Sequence, residues 1–434
     1  MARILVATTA LTGHIVPMLP VVRELTQRGH TVRWYTGASY RDRIEATGAQ
    51  FVPPRFAHDF SLQPISEQFP RRDSATGINS LLFDIRHIFA AEAVGQTLDL
   101  EKDLRFEPVD LILADSAFLA HRWVHELGGP RWATFNPFTV NLSGRDMPPF
   151  GLGSPPAATQ TGRFRVAAQQ QIGKRLLYRR TTRYVDRLRQ RVGLQPTGEV
   201  FWDRALSPYL YLQGSIPGLE YPRADLPEQF HFTGPTIATG PLDTFDPPEW
   251  WPELDSDRPV ILITQGTLST NPDQLLRPAI TALGSLDALV IATTGGAPVE
   301  TVTAKQGLPS NVRLESFVPF EHLLPHVDVM ITNGGYNGVQ QALKHGVPMI
   351  VAGATEDKLE VNARVAWTGV GIDLKTQTPG AEAVGRATTH ILQNPGFRER
   401  ARHLSQEFTS MDGVTTAADL LETLIQTGQP VYRS

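Results

Sequence analysis

A histidine stands at the exit of the first hydrophobic run of this chain. The stretch "LVATTALTGHIVPMLP", Leu5 to Pro20, reads as a strand, a loop holding Gly13 and His14, and a helix restarting at Pro17. Many α/β proteins place a glycine-rich phosphate loop here. One glycine beside an imidazole suits a proton better, because a free imidazole titrates at about 6.5. A loop histidine bonded only to backbone would look the same. Asp115 closes another strand-like run, "PVDLILADS", and taken alone reads equally as a helix cap. Further on, in "ITNGGYNGVQQALKHGVP", Gly334 and Gly335 close a strand and Asn337 and Gly338 open a helix. A helix N-terminus offers unpaired N–H groups and the positive end of a dipole, which suits a phosphate. An ordinary tight turn with an asparagine cap explains that stretch equally well.

These residues need strands and helices to place them. "RILVATT", the helical pattern "MLPVVRELTQRG" stopping at Gly29, and "HTVRWYTG" form a βαβ unit, hence a parallel sheet. "RWATFNP" adds a strand. Residues 141–162, rich in Pro, Gly and Ser, read as a mobile surface loop. The basic helix "KRLLYRRTTRYVDRLRQR" places Leu177, Thr181, Tyr184 and Leu188 on one face; its charges read as a solvated surface. The acidic, proline-rich "TGPLDTFDPPEWWPELDSDRP" reads as a linker. Beyond it the alternation restarts with "PVILITQG", "ALVIATTGG", "NVRLESFVP", "DVMITNGG" and "VPMIVAG" as strands. The expected fold is α/β, two doubly wound Rossmann-like domains facing an interdomain cleft. The expected boundaries are 1–218 for the first domain, 219–258 for the linker, 259–410 for the second domain, and 411–434 for a C-terminal helix packing back on the first. Ligands of open α/β sheets bind at the carboxyl ends of the strands. His14, Asp115 and the loops "TQGT", "TNGGYNG" and "GATED" all lie there, so the chemistry is expected in the cleft.

Composition excludes several classes. The chain has 434 residues, 41% hydrophobic and 19% charged, and no cysteine, so disulfides, thiolate metal sites and cysteine nucleophiles are out. A formal charge of −4 argues against a nucleic-acid partner. No stretch approaches the ~20 apolar residues of a membrane span, and the N-terminus enters a strand with no signal pattern. A cytoplasmic protein without integral membrane association is expected.

In order, "SFVP", "ITNGGYNG", "ALKHGVPMIVAG", an acidic pair and "NARVAWTGVG" resemble the donor-binding signature of family 1 glycosyltransferases. These are the nucleotide-sugar-dependent enzymes of GT-B fold, here of the bacterial macrolide and natural-product type. That family reads His-x-Gly-x-x-(Ser/Thr) at the phosphate helix, then Gly-Val-Pro, an Asp/Glu-Gln pair and Asn-Ala. "GHIVPMLPVVRELTQRGHTV" and "DLILADS" resemble its N-terminal segments. The likeness thins at residues 55–105 and 141–230. It implies that His14 is the base that deprotonates the acceptor, and that Asp115 orients it. It implies donor contacts at Gly13, at Thr267 near the diphosphate, and at Phe317 and Val318 around the base. Asn333, Gly334, Gly335, Asn337, Gly338 and Gln341 would form the phosphate and ribose segment. Glu356 and Asp357 would hold the sugar hydroxyls.

The departures from the family pattern are specific. Asn333 replaces the phosphate-binding histidine, Gln341 the ribose glutamate and Asp357 the usual glutamine, and "KLEV" lengthens the path to Asn362. No Asp-x-Asp element ends a strand, and "DSD" at 255–257 lies in the linker. The expected reaction is metal-independent and uses no cofactor. A UDP- or dTDP-hexose is the co-substrate, a hydroxyl on a hydrophobic small molecule is the acceptor, and the anomeric centre inverts. A nucleotide-sugar epimerase and a degenerate, non-catalytic partner of another transferase are the alternatives. If Glu356 and Asp357 are both ionised they accept only, and favour a fully hydroxylated sugar such as glucose, unless Lys358 or Arg364 neutralises them.

Overall fold

The computed structural model describes residues 1–434 except 73, 74, 76, 238–244, 267–270, 304–306, 434 and the side chain of residue 66. The chain divides into two units, residues 1–238 with 411–434, and residues 239–410. In the first unit β1 (Arg3–Ala7), β2 (Thr31–Tyr35), β3 (Gln50–Val52), β4 (Leu111–Asp115), β5 (Trp132–Asn136), β6 (Tyr211–Gln213) and β7 (Phe230–Phe232) form one sheet. Their order is β3-β2-β1-β4-β5-β6-β7, and every pairing is parallel. Alternate residues of β1 serve opposite layers, as strand geometry requires. Ile4 and Val6 pack with Val21, Val22 and Leu25 of the helix Leu19–Gln27 and with Ala417, Leu421 and Leu424 of the helix Gly413–Thr427. Leu5 and Ala7 pack with Leu100, Phe118 and Val124 on the other face. The C-terminal helix is also tied by charge, since Arg28 meets Asp419 at 2.6 Å and Glu422 at 2.9 Å.

The second unit repeats the plan with β8 (Val260–Thr264), β9 (Leu289–Thr293), β10 (Val312–Glu315), β11 (Val329–Thr332), β12 (Met349–Val351) and β13 (Gly371–Asp373). The order is β10-β9-β8-β11-β12-β13, again all parallel. In each sheet the strand order reverses once, between β1 and β4 and between β8 and β11.

Several local expectations are corrected. His14 lies in a helical turn, Thr12–Ile15, because the Leu11 carbonyl accepts from the N–H groups of both His14 (3.0 Å) and Ile15 (3.1 Å). The division between the two units falls within the expected linker, 219–258, and described residues on either side of it pack on their own unit. β7 completes the first sheet, while Trp250 donates to Glu315 (2.7 Å) and Arg313 pairs with Glu253 (2.7 Å) in the second unit. The segment after residue 140 is pinned at its start: Leu142 is buried, and Arg223 donates to the Leu142 and Ser143 carbonyls at 2.6 and 2.9 Å. The basic helix, Arg179–Arg191, buries Thr181, Val185 and Leu188 and leaves Arg179, Arg183 and Arg187 exposed. No helix among the described residues is long and apolar enough to cross a membrane.

His121, on the helix Ala120–Glu126 behind β4, is fully enclosed; its Nδ1 donates to the Phe118 carbonyl and its Nε2 meets no described partner. Burial lowers its pKa from 6.5 to about 4. A depressed histidine pKa means that folding favours the neutral ring, so this stability is present above pH 6.5 and is lost as pH falls towards 4. The loss reaches the order of 2 kcal/mol by about pH 4.5. Melting curves should therefore show the gap between wild type and the non-titrating His121→Gln narrowing between about pH 7 and pH 4.5. A constant gap would acquit His121.

Candidate active site

The switch between β1 and β4 brings His14 and Asp115 together. Their strands pair in parallel, Ala7 opposite Ala114, so the residues just beyond them emerge side by side. His14 Nδ1 lies 3.0 Å from Asp115 Oδ1. Asp115 is fully buried and also accepts from the backbone N–H groups of Thr9 (2.6 Å) and Ala117 (2.7 Å). Burial alone would raise its pKa, but the His14 charge and these donors outweigh it and hold the carboxyl below the usual range. Asp115 is thus a fixed anion, and Nδ1 must carry the hydrogen of their bond while the ring is neutral. Nε2 has no hydrogen-bond partner among the described residues.

Aromatic rings enclose the imidazole, which is 3% exposed. Phe138 meets it edge-on at 4.6 Å and Phe89 lies 5.5 Å away. Phe138 is held through its carbonyl, which accepts from Asn136 Nδ2 (3.2 Å) and Gln213 Nε2 (2.6 Å). Phe89 ends the π-helical turn Ile85–Phe89, and its neighbours Ile85, Ala90 and Ala93 pack into the core. The apolar stretch around it therefore serves both the core and the surroundings of His14. A Cβ on Gly13 would meet nothing within 4 Å, so that side of the turn is open.

In the second unit the switch between β8 and β11 holds a pocket. It is lined by Gln265, Gln274, Leu275, Asn333, Ala352, Gly353, Thr355, Lys358 and Gln377. Of the residues to which the family resemblance assigned donor contacts, only Asn333 lines it. Its Nδ2 donates to the Gln265 carbonyl, so that proton is already engaged. Gly334 takes a φ of +85°, and a Cβ there would sit 1.8 Å from Asn362 Oδ1. Gly335 is the N-cap of the helix Tyr336–Lys344, one residue earlier than expected, so Asn337 and Gly338 lie in its first turn. Gln341 follows on the same helix, half-buried. Phe317 is 67% exposed and Val318 is buried, so the Phe317 ring is not part of the core. Thr267 lies outside the described residues.

The acidic pair is not a pure acceptor site. Lys358 Nζ donates to Glu356, whose backbone is in the left-handed region at φ 58°. Arg364 pairs instead with Glu360 at 3.2 Å. Asp357 is the N-cap residue of the helix Lys358–Trp367. Neither Glu356 nor Asp357 lines the pocket, whereas Gln265, Gln274, Thr355, Lys358 and Gln377 do. The loops "TQGT" and "GATED" at strand ends were the available signal for some of these; nothing in the sequence marks Gln274 or Gln377.

Comparison with known proteins agrees with this anatomy. An "Erythromycin biosynthesis protein CIII-like, C-terminal domain" matches residues 277–424. The chain is 44% identical to 4'-demethylrebeccamycin synthase of Lentzea aerocolonigenes, over 98% of this chain and all of that protein. It is 30% identical to UDP-glycosyltransferase 2 of Phaeomoniella chlamydospora, over 97% of this chain and 95% of the other. The fold is similar to that of a calicheamicin glycosyltransferase (TM-score 0.74, 21% identity, 99% of this chain and 100% of the other). On these grounds the chain belongs to the nucleotide-sugar-dependent glycosyltransferases of GT-B fold, of the bacterial natural-product type.

Proposed function

We propose that this glycosyltransferase moves a hexose from a UDP- or dTDP-sugar to a hydroxyl of a hydrophobic small molecule, with inversion and with His14 as general base. The observation that carries the reading is the buried His14–Asp115 pair. Asp115 holds Nδ1–H, so Nε2 is the nitrogen with a lone pair to offer. It takes the acceptor proton as the acceptor oxygen attacks the anomeric carbon. The bond from that carbon to the diphosphate oxygen breaks, and the nucleoside diphosphate leaves with the electron pair. The fixed carboxylate then stabilises the imidazolium. Phe89 and Phe138 exclude water and offer an apolar surface, which supports a greasy acceptor. The names of the relatives, a rebeccamycin-pathway synthase and a UDP-glycosyltransferase, support the acceptor and donor classes.

The donor reading rests on the second unit. The helix Tyr336–Lys344 starts just beyond Gly334 and Gly335 with no side-chain cap from its N-cap residue, and the positive end of a helix suits a phosphate. The Phe317 ring is exposed and able to stack on a base. Among the described residues no group of three or more His, Asp or Glu could hold a metal ion, and we assign phosphate stabilisation to protein groups.

Two measurements test the proposal. Steady-state kinetics of His14→Ala should show turnover lower by about two to four orders of magnitude with donor affinity nearly unchanged, and Asp115→Asn should lose less. Near-wild-type turnover in His14→Ala would remove the base. Thermal melting should show stabilisation by UDP or dTDP, and turnover should survive EDTA; a strict magnesium requirement would contradict phosphate binding by protein groups alone.

A further inference from the structure

Asn333 cannot supply the positive charge that a histidine, the residue of the family pattern at this position, could bring. It carries no charge, and one of its two amide N–H donors is already given to the Gln265 carbonyl. A leaving diphosphate develops negative charge as the glycosidic bond breaks, and an unaided helix terminus supplies only a fraction of a positive charge, roughly half. Among the described residues that line the pocket, Lys358 is the single ionisable group, its ammonium paired with Glu356; the other polar ones are the amides of Gln265, Gln274, Asn333 and Gln377 and the hydroxyl of Thr355.

Lys358 is built in rather than draped over the surface. Its side chain is 7% exposed. Its stem passes over Gly353 at the exit of β12, where a Cβ would sit 2.8 Å from Lys358 Cδ and 2.1 Å from the Asn333 carbonyl oxygen. Only glycine allows the lysine stem and the β11 exit to approach so closely. Nζ bonds Glu356 and, at 3.3 Å, Thr355 Oγ1. An ammonium has three donors, so one remains for a ligand. Glu356 reaches Nζ from a left-handed backbone, a conformation unfavourable for a non-glycine residue that persists where the surroundings impose it.

From this geometry we infer that Lys358 is the cation that grips the donor's diphosphate and stabilises it as it leaves, in the role that Asn333 has vacated. The inference rests on the donor reading given above. Glu356 and Thr355 hold the ammonium in place without a donor, and the third N–H bonds a phosphate oxygen when one arrives. The lysine and Glu356 thus work as a charge and its holder, not as a grip on sugar hydroxyls.

The test uses the full chain as wild type, Lys358→Met and Lys358→Arg. Binding of UDP, dTDP, uridine, thymidine and UDP-glucose is followed by NMR titration. Lys358→Met should weaken the diphosphates by about ten- to a hundredfold, leave the nucleosides unchanged, and lower turnover; Lys358→Arg should recover most of the affinity. Diphosphate affinity unchanged in Lys358→Met would overturn the inference. So would equal loss for nucleosides and diphosphates, which marks a structural role, or loss confined to UDP-glucose, which marks a sugar contact. A folded wild type that binds no nucleoside diphosphate would instead overturn the donor reading, and the inference with it.

Discussion

The parallel pairing of β1 with β4 is the constraint on which the first unit's chemistry depends. Strands adjacent in space but distant in sequence leave a crevice at their carboxyl ends, because their following helices go to opposite sides of the sheet. His14 and Asp115 are 101 positions apart, yet one ladder sets them 3.0 Å from each other. The backbone N–H groups of Thr9 and Ala117, from the two strand exits, converge on the same carboxylate. Loss of either would weaken the anion as well as the geometry. The rest of the unit serves that junction: the helices Leu19–Gln27 and Gly413–Thr427 cover one face, and the Asn136–Gln213 amide pair fixes the loop that carries Phe138.

The second unit applies the same rule with different residues. At the β8–β11 junction the strand exits deliver Gln265 and Asn333, which bond each other, and β12 delivers Gly353, over which Lys358 lies. One junction gathers an imidazole and a carboxylate, the other amides and an ammonium. This division fits a reaction in which one partner must lose a proton and the other must leave as an anion.

Much of this was legible in the sequence because the β1, β4, β8 and β11 runs are nearly continuous and apolar, as buried parallel strands tend to be. β3, β6, β7 and β13 were not legible; each is three residues long, too short to show a period, and exists because a neighbouring strand offers it a ladder. His14 and Asp115 could be picked out from their positions at strand ends. Lys358 showed in the sequence only as a neighbour able to neutralise the acidic pair; its burial, which depends on the stem crossing Gly353 and on the unusual backbone of Glu356, did not. For the acidic pair the sequence left two outcomes, an acceptor-only site or neutralisation by Lys358 or Arg364, and the fold selects Lys358 on Glu356. Residues 219–258 read as linker by composition, yet their aromatic and charged side chains find partners in each unit.

The central claim is that a single base-assisted displacement occurs at the anomeric carbon, with His14 removing the acceptor proton. The configuration of the product reports this most directly. With an α-linked donor such as UDP-glucose and an accepted substrate, the anomeric proton coupling in the NMR spectrum of the first-formed product should be that of the β-anomer. An α-linked product would contradict the account, because retention requires a route that direct attack by a deprotonated acceptor does not provide.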